Sequence, residues 1–321
     1  MKISLVIPTL DAGTLLEEVL AAIDRQPNVA DVEKIAVDSG STDGTVDRLV
    51  AHGFETISID KSTFDHGLTR DLAIERCSGD IVVLLTQDAT PTDTEWLPAL
   101  VSCFDDDHVG AAYCRQIPRD DCNPFIARRL REWTAGKTER VVQRLASDQT
   151  LGSLQPLERL QLCAYDNVAG SVRRSIWEQF KFGKRPFGED VAFGKKLIEH
   201  GYSIVFEPRS AVVHSHNRSP IEEGKRIYCD HQNLRDLFDV HLMPTWESFE
   251  GAVEWGQREY AKIVDELDLE PDERAALHRW ARDYAKWASL GMYLGANSHQ
   301  LADGEHGAFF RFLDRELHAG I

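Results

Sequence analysis

Short apolar runs and amphipathic segments alternate along the first 114 residues of the chain. Segments with the length and apolar content of β-strands, some interrupted by single polar residues, lie at 2–8, 35–37, 56–59, 81–85 and 109–114. Between them, apolar residues recur three and four positions apart, as in Leu16, Val19 and Ile23, which is typical of helices that pack on one face. This alternation predicts an α/β protein with a mainly parallel, Rossmann-like sheet and flanking helices.

The run at 81–85 consists of five consecutive apolar residues. A run that is this short and rich in β-branched residues predicts a central strand that is buried on both faces. It is followed by Thr86, Gln87 and Asp88. A carboxylate just past the carboxyl end of such a strand lies where open α/β sheets bind their ligands. Asp88 is therefore either a ligand of Mg²⁺ or Mn²⁺ beside a diphosphate or a cap of the next turn, and this segment alone leaves both open.

The pattern is less regular after residue 114. Residues 115–161 are rich in arginine, and we expect an insertion over the ligand-binding face. Its arginines form either a solvated helical face or a phosphate-docking surface. Strand or extended structure is expected at 162–168, and two short strands are expected at 202–206 and 211–213. The second short strand leads directly into His214-Ser215-His216.

The last third of the chain has a helical pattern throughout. Ser219-Pro220-Ile221-Glu222 combines an N-cap serine, a proline at the first helical position and a glutamate that closes a capping box. Breaks are expected near Pro244, Pro271 and Asn297. We therefore expect an α/β domain at 1–218 and a C-terminal helical region at 219–321.

Composition narrows the class of protein. The net charge of −17 lacks the basic footprint of a nucleic-acid-binding protein. The six cysteines include no CxxC pair, which is typical of buried thiols in a reducing cytosol. Met1 leads straight into a strand, and no apolar run reaches membrane-spanning length, so we expect neither a signal peptide nor a transmembrane segment. The expected location is the cytoplasm, with the inner face of the membrane as a peripheral alternative.

Two common nucleotide-binding fingerprints are missing from the loops at the strand ends. The first strand–helix turn lacks G-x-G-x-x-G, and the chain contains no G-x-x-x-x-G-K-[ST] motif. A nicotinamide oxidoreductase is therefore disfavoured, and any nucleotide must be held in another way.

Six segments of the chain resemble motifs of family 2 glycosyltransferases. They are Ile7-Pro8-Thr9-Leu10-Asp11-Ala12-Gly13, Val37-Asp38-Ser39-Gly40-Ser41-Thr42-Asp43-Gly44-Thr45, Phe64-Asp65-His66-Gly67-Leu68-Thr69-Arg70, Leu85-Thr86-Gln87-Asp88-Ala89, Phe187-Gly188-Glu189-Asp190 and Val213-His214-Ser215-His216-Asn217. Together they resemble the rhamnosyltransferase-like branch of that family. Each motif is short, and their order and structural context make the set specific. The similarity covers about residues 1–237.

The resemblance implies a GT-A fold. Residues 1–114 would then form a nucleotide-sugar-binding half, and residues 115–218 an acceptor-binding half that contains the insertion. The implied reaction moves a sugar, rhamnose or another hexose, from a UDP- or dTDP-sugar to a hydroxyl of a glycan or a lipid-linked acceptor. A single displacement inverts the anomeric centre. A divalent cation neutralises the leaving diphosphate, and a carboxylate takes the proton of the acceptor hydroxyl.

The resemblance also assigns residues to the donor. Asp38 matches the position that binds an N–H of uracil or thymine, and Pro8, Thr9 and Ser39 would line the same pocket. The other residues with an implied donor-side role are His66, Gly67, Arg70, Gln87 and Asp88. Arg70 offers paired donors to a phosphate or base, although an ordinary helix-surface role stays open. Asp65 and Asp71 stand where asparagine is usual, which leaves the fine donor preference open.

The implied metal site contains Asp88 and a histidine. Gln87 replaces the first carboxylate of the family's paired motif, which leaves the metal short of protein ligands. His214 is the natural partner because it follows a strand, and imidazole suits Mn²⁺ better than Mg²⁺. We expect His216 to project the opposite way if the strand continues. The alternative is that His214 has only a structural role.

Asp190 matches the family's catalytic base. The alternative is that Glu189 and Asp190 only complement the dipole of the helix that they open. Glu189 is expected to orient the acceptor or stabilise the loop.

Two further classes of protein share the expected sheet. A sugar-phosphate nucleotidyltransferase would show a glycine-rich loop with arginine and lysine after the first strand, which residues 9–13 lack. A non-catalytic sugar-nucleotide-binding or scaffold protein of the same fold would lack Asp88 or Asp190, and both are present.

Overall fold

The computed structural model describes residues 1–185 and 187–320 of the chain. The chain divides into two compact units, Met1–His216 and Asn217–Ile321. The first unit contains one nine-stranded sheet. Its strands are β1 (Ile3–Thr9), β2 (Glu33–Asp38), β3 (Glu55–Ser58), β4 (Ile81–Leu85), β5 (Thr90–Pro91), β6 (Val109–Ile117), β7 (Val141–Gln143), β8 (Ala169–Arg173) and β9 (Ser203–Val213).

The helices of the first unit flank this sheet. They are α1 (Leu15–Asp24), α2 (Thr45–Ala51), α3 (His66–Arg76), α4 (Trp96–Ser102), α5 (Pro124–Glu132), α6 (Pro156–Leu162), α7 (Arg174–Phe180) and α8 (Glu189–Glu199). In α1, Leu16, Val19 and Ile23 are buried and join the same core cluster as β1 and β4, as the apolar spacing predicts. The predicted α/β architecture is thereby confirmed.

The sheet has a parallel half and a mixed half. Its strand order is β3-β2-β1-β4-β8-β6-β9-β5, and β7 pairs with β9 off this path. The first four strands of that order are parallel, and β4 is buried along its whole length, as its uninterrupted apolar run predicts. Beyond β4, β8 is antiparallel to both of its neighbours, whereas β6 and β9 are parallel to each other.

Two expectations for the second half of the sheet need correction. Of the strand or extended structure expected at 162–168, no strand forms, because α6 ends at Leu162 and β8 begins only at Ala169. The two short strands expected at 202–206 and 211–213 are one strand, β9. Its register against β6 shifts from Cys114–Glu207 to Arg115–Ala211, which accommodates Pro208 in an irregularity of the ladder. Proline breaks the apolar pattern there without ending the strand.

The second unit is helical, as predicted. Its helices are α9 (Pro220–Phe238), α10 (Trp246–Asp265), α11 (Pro271–Ala296), α12 (Ser298–Asp303) and α13 (Gly307–His318). The Ser219–Glu222 capping box is present, and the expected breaks fall between α9 and α10, between α10 and α11, and at Asn297. Within the described residues, none of the helices has the length and apolar content that crossing a membrane requires.

Candidate active site

The carboxyl ends of β1, β2 and β4 meet at one edge of the sheet because these strands are parallel. Thr9 and Asp38 are register partners at the ends of β1 and β2. β5 then pairs antiparallel with the end of β9, with Thr90 opposite Val213. This pairing brings the loop after β4, which carries Asp88, beside the residues that follow β9. The topology therefore explains why residues far apart in sequence share one site.

Asp88, His214 and His216 form a compact cluster at this edge. The Nε2 atom of His214 lies 3.6 Å from Oδ1 of Asp88, and the Nε2 atom of His216 lies 3.4 Å from Oδ2. The two Nε2 atoms are 3.1 Å apart. One ligand atom from each of the three residues lies within 4.8 Å of the others, so the cluster has the spacing of a metal site.

The expectation that His216 projects away from the site is wrong. It depended on the strand continuing through His216, but β9 ends at Val213. Beyond that residue the alternation of a strand no longer separates the side chains, and both imidazoles face Asp88. The structure therefore adds His216 to the predicted pair of Asp88 and His214.

Gln116 of β6 connects this cluster to a second one. Its Oε1 atom lies 2.9 Å from Nδ1 of His214, and its Nε2 group donates to Oδ2 of Asp166. The other oxygen of Asp166 accepts from the backbone N–H of Val168 at 2.8 Å. A ligating histidine is commonly oriented in this way by a partner on its other ring nitrogen.

The second cluster surrounds the start of α8. Arg70 is buried and pairs with Glu189 through Nη1 and Oε1 at 2.9 Å. The Nδ2 group of Asn167 donates to the same Glu189 oxygen at 3.2 Å. The backbone N–H of Asn167 lies 3.5 Å from Oδ2 of Asp190, the next residue along α8. Arg70 and Asn167 thus anchor the first turn of the helix that carries Asp190.

The pKa values of Asp190 and Glu189, the two carboxyl groups of this turn, are shifted in opposite directions. Burial raises the pKa of Asp190 well above its usual value, and the negative charges of Glu189 and Asp166 raise it further. Burial also opposes the charged form of Glu189, but Arg70 beside it lowers the pKa of Glu189 below its usual value. A pair of carboxyl groups whose pKa values are pushed apart is typical of acid–base sites.

The predicted donor pocket contains a densely hydrogen-bonded Asp38. Its carboxylate is buried and accepts from the Thr9 hydroxyl at 3.0 Å, from the backbone of Gly40 and from both the backbone and the hydroxyl of Ser41. Ser39 is also buried, and its backbone N–H bonds the carbonyl of Thr9. In the structure these bonds of Asp38 fix the conformation of the loop after β2. The predicted contact of Asp38 with the donor's base stays a prediction.

Gln87, another predicted donor residue, contacts the protein backbone. The amide of Gln87 binds both main-chain groups of Leu10, with Oε1 accepting at 2.8 Å and Nε2 donating at 3.1 Å. This bidentate contact ties the end of β4 to the turn after β1, where Pro8 is half-buried. A carboxylate at position 87 would lack the N–H that bonds the Leu10 carbonyl, which explains why glutamine fits here.

Gly67 is required by close packing. A Cβ atom at this position would lie 2.0 Å from the carbonyl oxygen of Gly183, in the loop that precedes α8. Asp71, one turn further along α3, accepts from the backbone of Phe182 and Gly183 and from the indole of Trp177. The predicted donor-side motif therefore also docks α3 against the loop that leads to Asp190. His66 opens α3, and its ring packs edge-on against Phe64.

Sequence reasoning missed three residues of this site and considered a fourth, Arg119, only as one of the arginines of 115–161. Gln116, Asp166 and Asn167 join the cluster of Asp88, His214 and His216 to α8, and Nη2 of Arg119 donates to the backbone carbonyl of Asp88 at 2.6 Å. Their partners lie 22 to 98 positions away in sequence, so periodicity does not reveal them. The signal that could have found them is the polarity of Gln116 at the end of an apolar strand.

Comparison with known proteins identifies the family of the chain. Residues 4–187 match the family described as Glycosyl transferase family 2. The chain is 35% identical to the O-antigen chain rhamnosyltransferase RfbN of Salmonella typhimurium over 234 residues, which cover 71% of each protein. It is 32% identical to the O-antigen chain rhamnosyltransferase WbaN of Salmonella anatum over 231 residues, 70% of each.

A solved structure shares the fold. The mannosyltransferase PcManGT from Pyrobaculum calidifontis, in complex with GDP-Man and Mn²⁺, superposes with a TM-score of 0.52 and 17% identity over 98% of this chain and 84% of that one. Fold and sequence together define a glycosyltransferase with the predicted GT-A fold. The chain belongs to glycosyltransferase family 2, and its predicted resemblance to the rhamnosyltransferase-like branch is confirmed.

Proposed function

We propose that the protein is an inverting, metal-assisted glycosyltransferase that uses a UDP- or dTDP-sugar. The sugar is a hexose, and rhamnose is favoured because RfbN and WbaN are rhamnosyltransferases. The observation that carries the proposal is the cluster of Asp88, His214 and His216 at the carboxyl ends of the strands. This edge is where open α/β sheets bind their ligands.

The ligand atoms of this cluster suit a divalent cation. A carboxylate oxygen and two imidazole nitrogens can converge on one ion, and Gln116 orients His214 from the other side of the ring. Imidazole ligands favour Mn²⁺ over Mg²⁺, which prefers oxygen. A cation held by Asp88, His214 and His216 would neutralise the charge that develops on the leaving diphosphate.

The proposed donor pocket lies at the ends of β1 and β2. Asp38 accepts an N–H of uracil or thymine in exchange for one of its present donors, such as the Ser41 hydroxyl. Pro8, Thr9 and Ser39 line the same end of the sheet. His66 and Gly67, at the start of α3, and Gln87, beside Asp88, complete the donor side.

Asp190 is the proposed general base. Its carboxylate takes the proton of the acceptor hydroxyl while that oxygen attacks the anomeric carbon and the bond to the diphosphate breaks. The surrounding carboxylates and burial raise the pKa of Asp190, which makes it a stronger base than an ordinary aspartate once it is ionised. Because one displacement occurs, the anomeric configuration inverts. Glu189 contacts Arg70 and Asn167, so it acts on the acceptor by positioning α8.

The proposed acceptor is a hydroxyl of a growing glycan or of a lipid-linked glycan. The names of RfbN and WbaN, which are described as O-antigen chain rhamnosyltransferases, support this proposal. Such an acceptor would place the enzyme in the cytoplasm, at the inner face of the membrane.

A donor screen tests the proposal. Purified protein is incubated with Mn²⁺, a panel of UDP-, dTDP- and GDP-sugars and a panel of glycan acceptors, and release of nucleoside diphosphate is measured. We expect release with a UDP- or dTDP-hexose and a product of inverted configuration. Donor binding without turnover across the panel would favour a scaffold, and a retained anomer would exclude the single displacement.

A further inference from the structure

Gln116 lies between the proposed metal site and the cluster around α8. It is a buried residue of β6 and is the register partner of Val212 in β9, two positions before His214. Its side-chain amide contacts His214 through Oε1 at 2.9 Å and Asp166 through Nε2. A primary amide has one accepting end and one donating end, so its orientation decides which role each neighbour takes.

Asp166 sets the orientation of this amide. Its Oδ1 atom accepts from the backbone N–H of Val168 at 2.8 Å, and its Oδ2 atom faces Gln116. A carboxylate only accepts, so Gln116 turns its amino group towards Asp166 and its carbonyl oxygen towards His214. A carbonyl oxygen also only accepts, so the proton of the His214 ring resides on Nδ1. In the neutral ring the lone pair then lies on Nε2, which accepts from Nε2–H of His216 at 3.1 Å and lies 3.6 Å from Oδ1 of Asp88.

We propose that Asp166 and Gln116 are positioning residues that hold His214 in its Nδ1–H tautomer, with Nε2 ready to bind a divalent cation. The inference rests on the proposed metal site and deepens it. Neither residue touches the site of the cation, and both act through the imidazole ring. Partners on the second nitrogen of a ligating histidine typically change metal affinity by about 10- to 100-fold.

The hydrogen-bonded series Asp166, Gln116 and His214 is called the relay below. It has a direction, because each amide or ring group donates on one side and accepts on the other, and one substitution reverses that direction. In Asp166→Asn, Oδ1 keeps the bond from Val168, so the new amino group points at Gln116. Gln116 must then rotate to accept that bond and turns its own amino group towards Nδ1 of His214. The imidazole can accept it only with the proton on Nε2, which blocks the metal-binding atom. A nearly isosteric change two contacts away from Asp88 should therefore weaken Mn²⁺ binding.

A second substitution restores the direction. In the double variant Asp166→Asn/Gln116→Glu, one oxygen of the new glutamate accepts from the asparagine. Its other oxygen accepts from Nδ1–H of His214, so the original tautomer returns. A role of Asp166 in packing alone does not predict this rescue. Asp148→Asn is the matched control because Asp148 is an exposed aspartate of the same unit.

The test has two readouts on the full-length protein. The tautomer of His214 is read from the ¹⁵N shifts of its ring in histidine-labelled, metal-free protein, with the signal assigned through His214→Ala. Mn²⁺ affinity is measured separately by titration with electron paramagnetic resonance. We expect Nδ1–H in the wild type and in the double variant and Nε2–H in Asp166→Asn, with a loss of Mn²⁺ affinity of about 10- to 100-fold in Asp166→Asn alone.

The two readouts separate the relay from the metal site. An Nε2–H ring in the wild type, or an unchanged tautomer in Asp166→Asn, overturns the relay even if Mn²⁺ binds. The expected tautomers without any Mn²⁺ binding support the relay as a property of the fold and overturn the metal site of the proposed function. Asp166→Asn that loses Mn²⁺ affinity without recovery in the double variant contradicts the relay, provided that Asp148→Asn binds as the wild type does.

Discussion

Arg70 Nη1 lies 2.9 Å from Glu189 Oε1, and this contact joins two motifs that are 119 residues apart in the chain. Both side chains are almost fully buried. Nη1 of Arg70 also donates to the backbone carbonyl of His66, so the ion pair ties α3 to the first turn of α8. The position of Asp190 beside Glu189 therefore depends on a residue for which the resemblance implies a donor-side role.

The first prediction concerns this ion pair. Arg70→Met leaves Glu189 buried without its cation, which typically costs about 3–5 kcal/mol of unfolding free energy. The double variant Arg70→Met/Glu189→Gln removes both charges and should recover most of that loss. Urea denaturation of the single and double variants measures the effect. Lys195→Met is the control, because its pair with Glu199 on α8 is solvent-accessible and should contribute less than about 1 kcal/mol.

The same double variant separates the two roles of Arg70. If Arg70 acts only by holding α8, the refolded double variant binds donor as the wild type does. If it also contacts the donor, stability returns while donor affinity does not. Equal stability of Arg70→Met and the wild type would contradict the account of the ion pair.

The second prediction concerns Asp190 as the base. Asp190→Asn keeps the shape of the side chain and removes the proton acceptor, so transfer should fall by about 10²–10⁴-fold. Donor affinity should change little, because the proposed donor contacts lie at the ends of β1, β2 and β4. Single-turnover transfer and donor titration measure the two effects. Asp47→Asn, an exposed aspartate in the first turn of α2, should behave as the wild type; near-normal transfer by Asp190→Asn would remove Asp190 from the mechanism.

The third prediction is a pH dependence. Burial and the neighbouring carboxylates raise the pKa of Asp190, and a base is active only when ionised. The value of kcat/KM should therefore rise with pH, and the acidic limb should lie above the range of an ordinary aspartate. Glu189→Gln removes a negative charge that raises this pKa, so it should move the limb to lower pH. A limb that stays in place in Glu189→Gln would mean that another group controls the profile.

The fourth prediction uses the close approach of α3 to the loop before α8. Gly67→Ala places a Cβ atom 2.0 Å from the Gly183 carbonyl, so the backbone must shift, at a cost of about 1–3 kcal/mol. Because that loop leads into α8, transfer should fall as well. Gly251→Ala is the control: it lies inside α10 with open space around it, and alanine there should stabilise by about 0.5–1 kcal/mol. Unfolding curves for both variants measure the difference, and an unchanged Gly67→Ala would refute the packing argument.

The sequence predicts the parallel half of the sheet well because its central strands β1 and β4 are mostly apolar and α1 has a clear buried face. β4 lies where the run at 81–85 places it, and α1 buries the residues that its spacing indicates. The sequence predicts two strands in place of β9 because residues 207–210 lack apolar side chains, whereas the pairing with β6 continues the strand across them. That pairing is a tertiary property, which local periodicity does not report.

In the candidate site, too, residues marked by local sequence patterns were predicted, and residues whose roles depend on tertiary contacts were not. Asp88, His214 and Asp190 were expected from motifs, since each lies next to a recognisable strand end or helix start. Gln116 and Asp166 were not, because their roles depend on side-chain contacts between β6, the chain after β9 and the segment before β8. His216 would point away only if the strand continued through it, and β9 ends at Val213, where the predicted strand at 211–213 also ends.

The measurement that tests the account most directly is Mn²⁺-dependent transfer by the three cluster variants. We predict that EDTA abolishes turnover and that Mn²⁺ restores it better than Mg²⁺. Asp88→Ala, His214→Ala and His216→Ala should each raise the Mn²⁺ concentration needed for half-maximal nucleoside diphosphate release by at least about 10-fold. Asp47→Asn should need the same Mn²⁺ concentration as the wild type. Full turnover in EDTA, or three cluster variants with the wild-type Mn²⁺ requirement, would contradict the proposed metal-assisted mechanism.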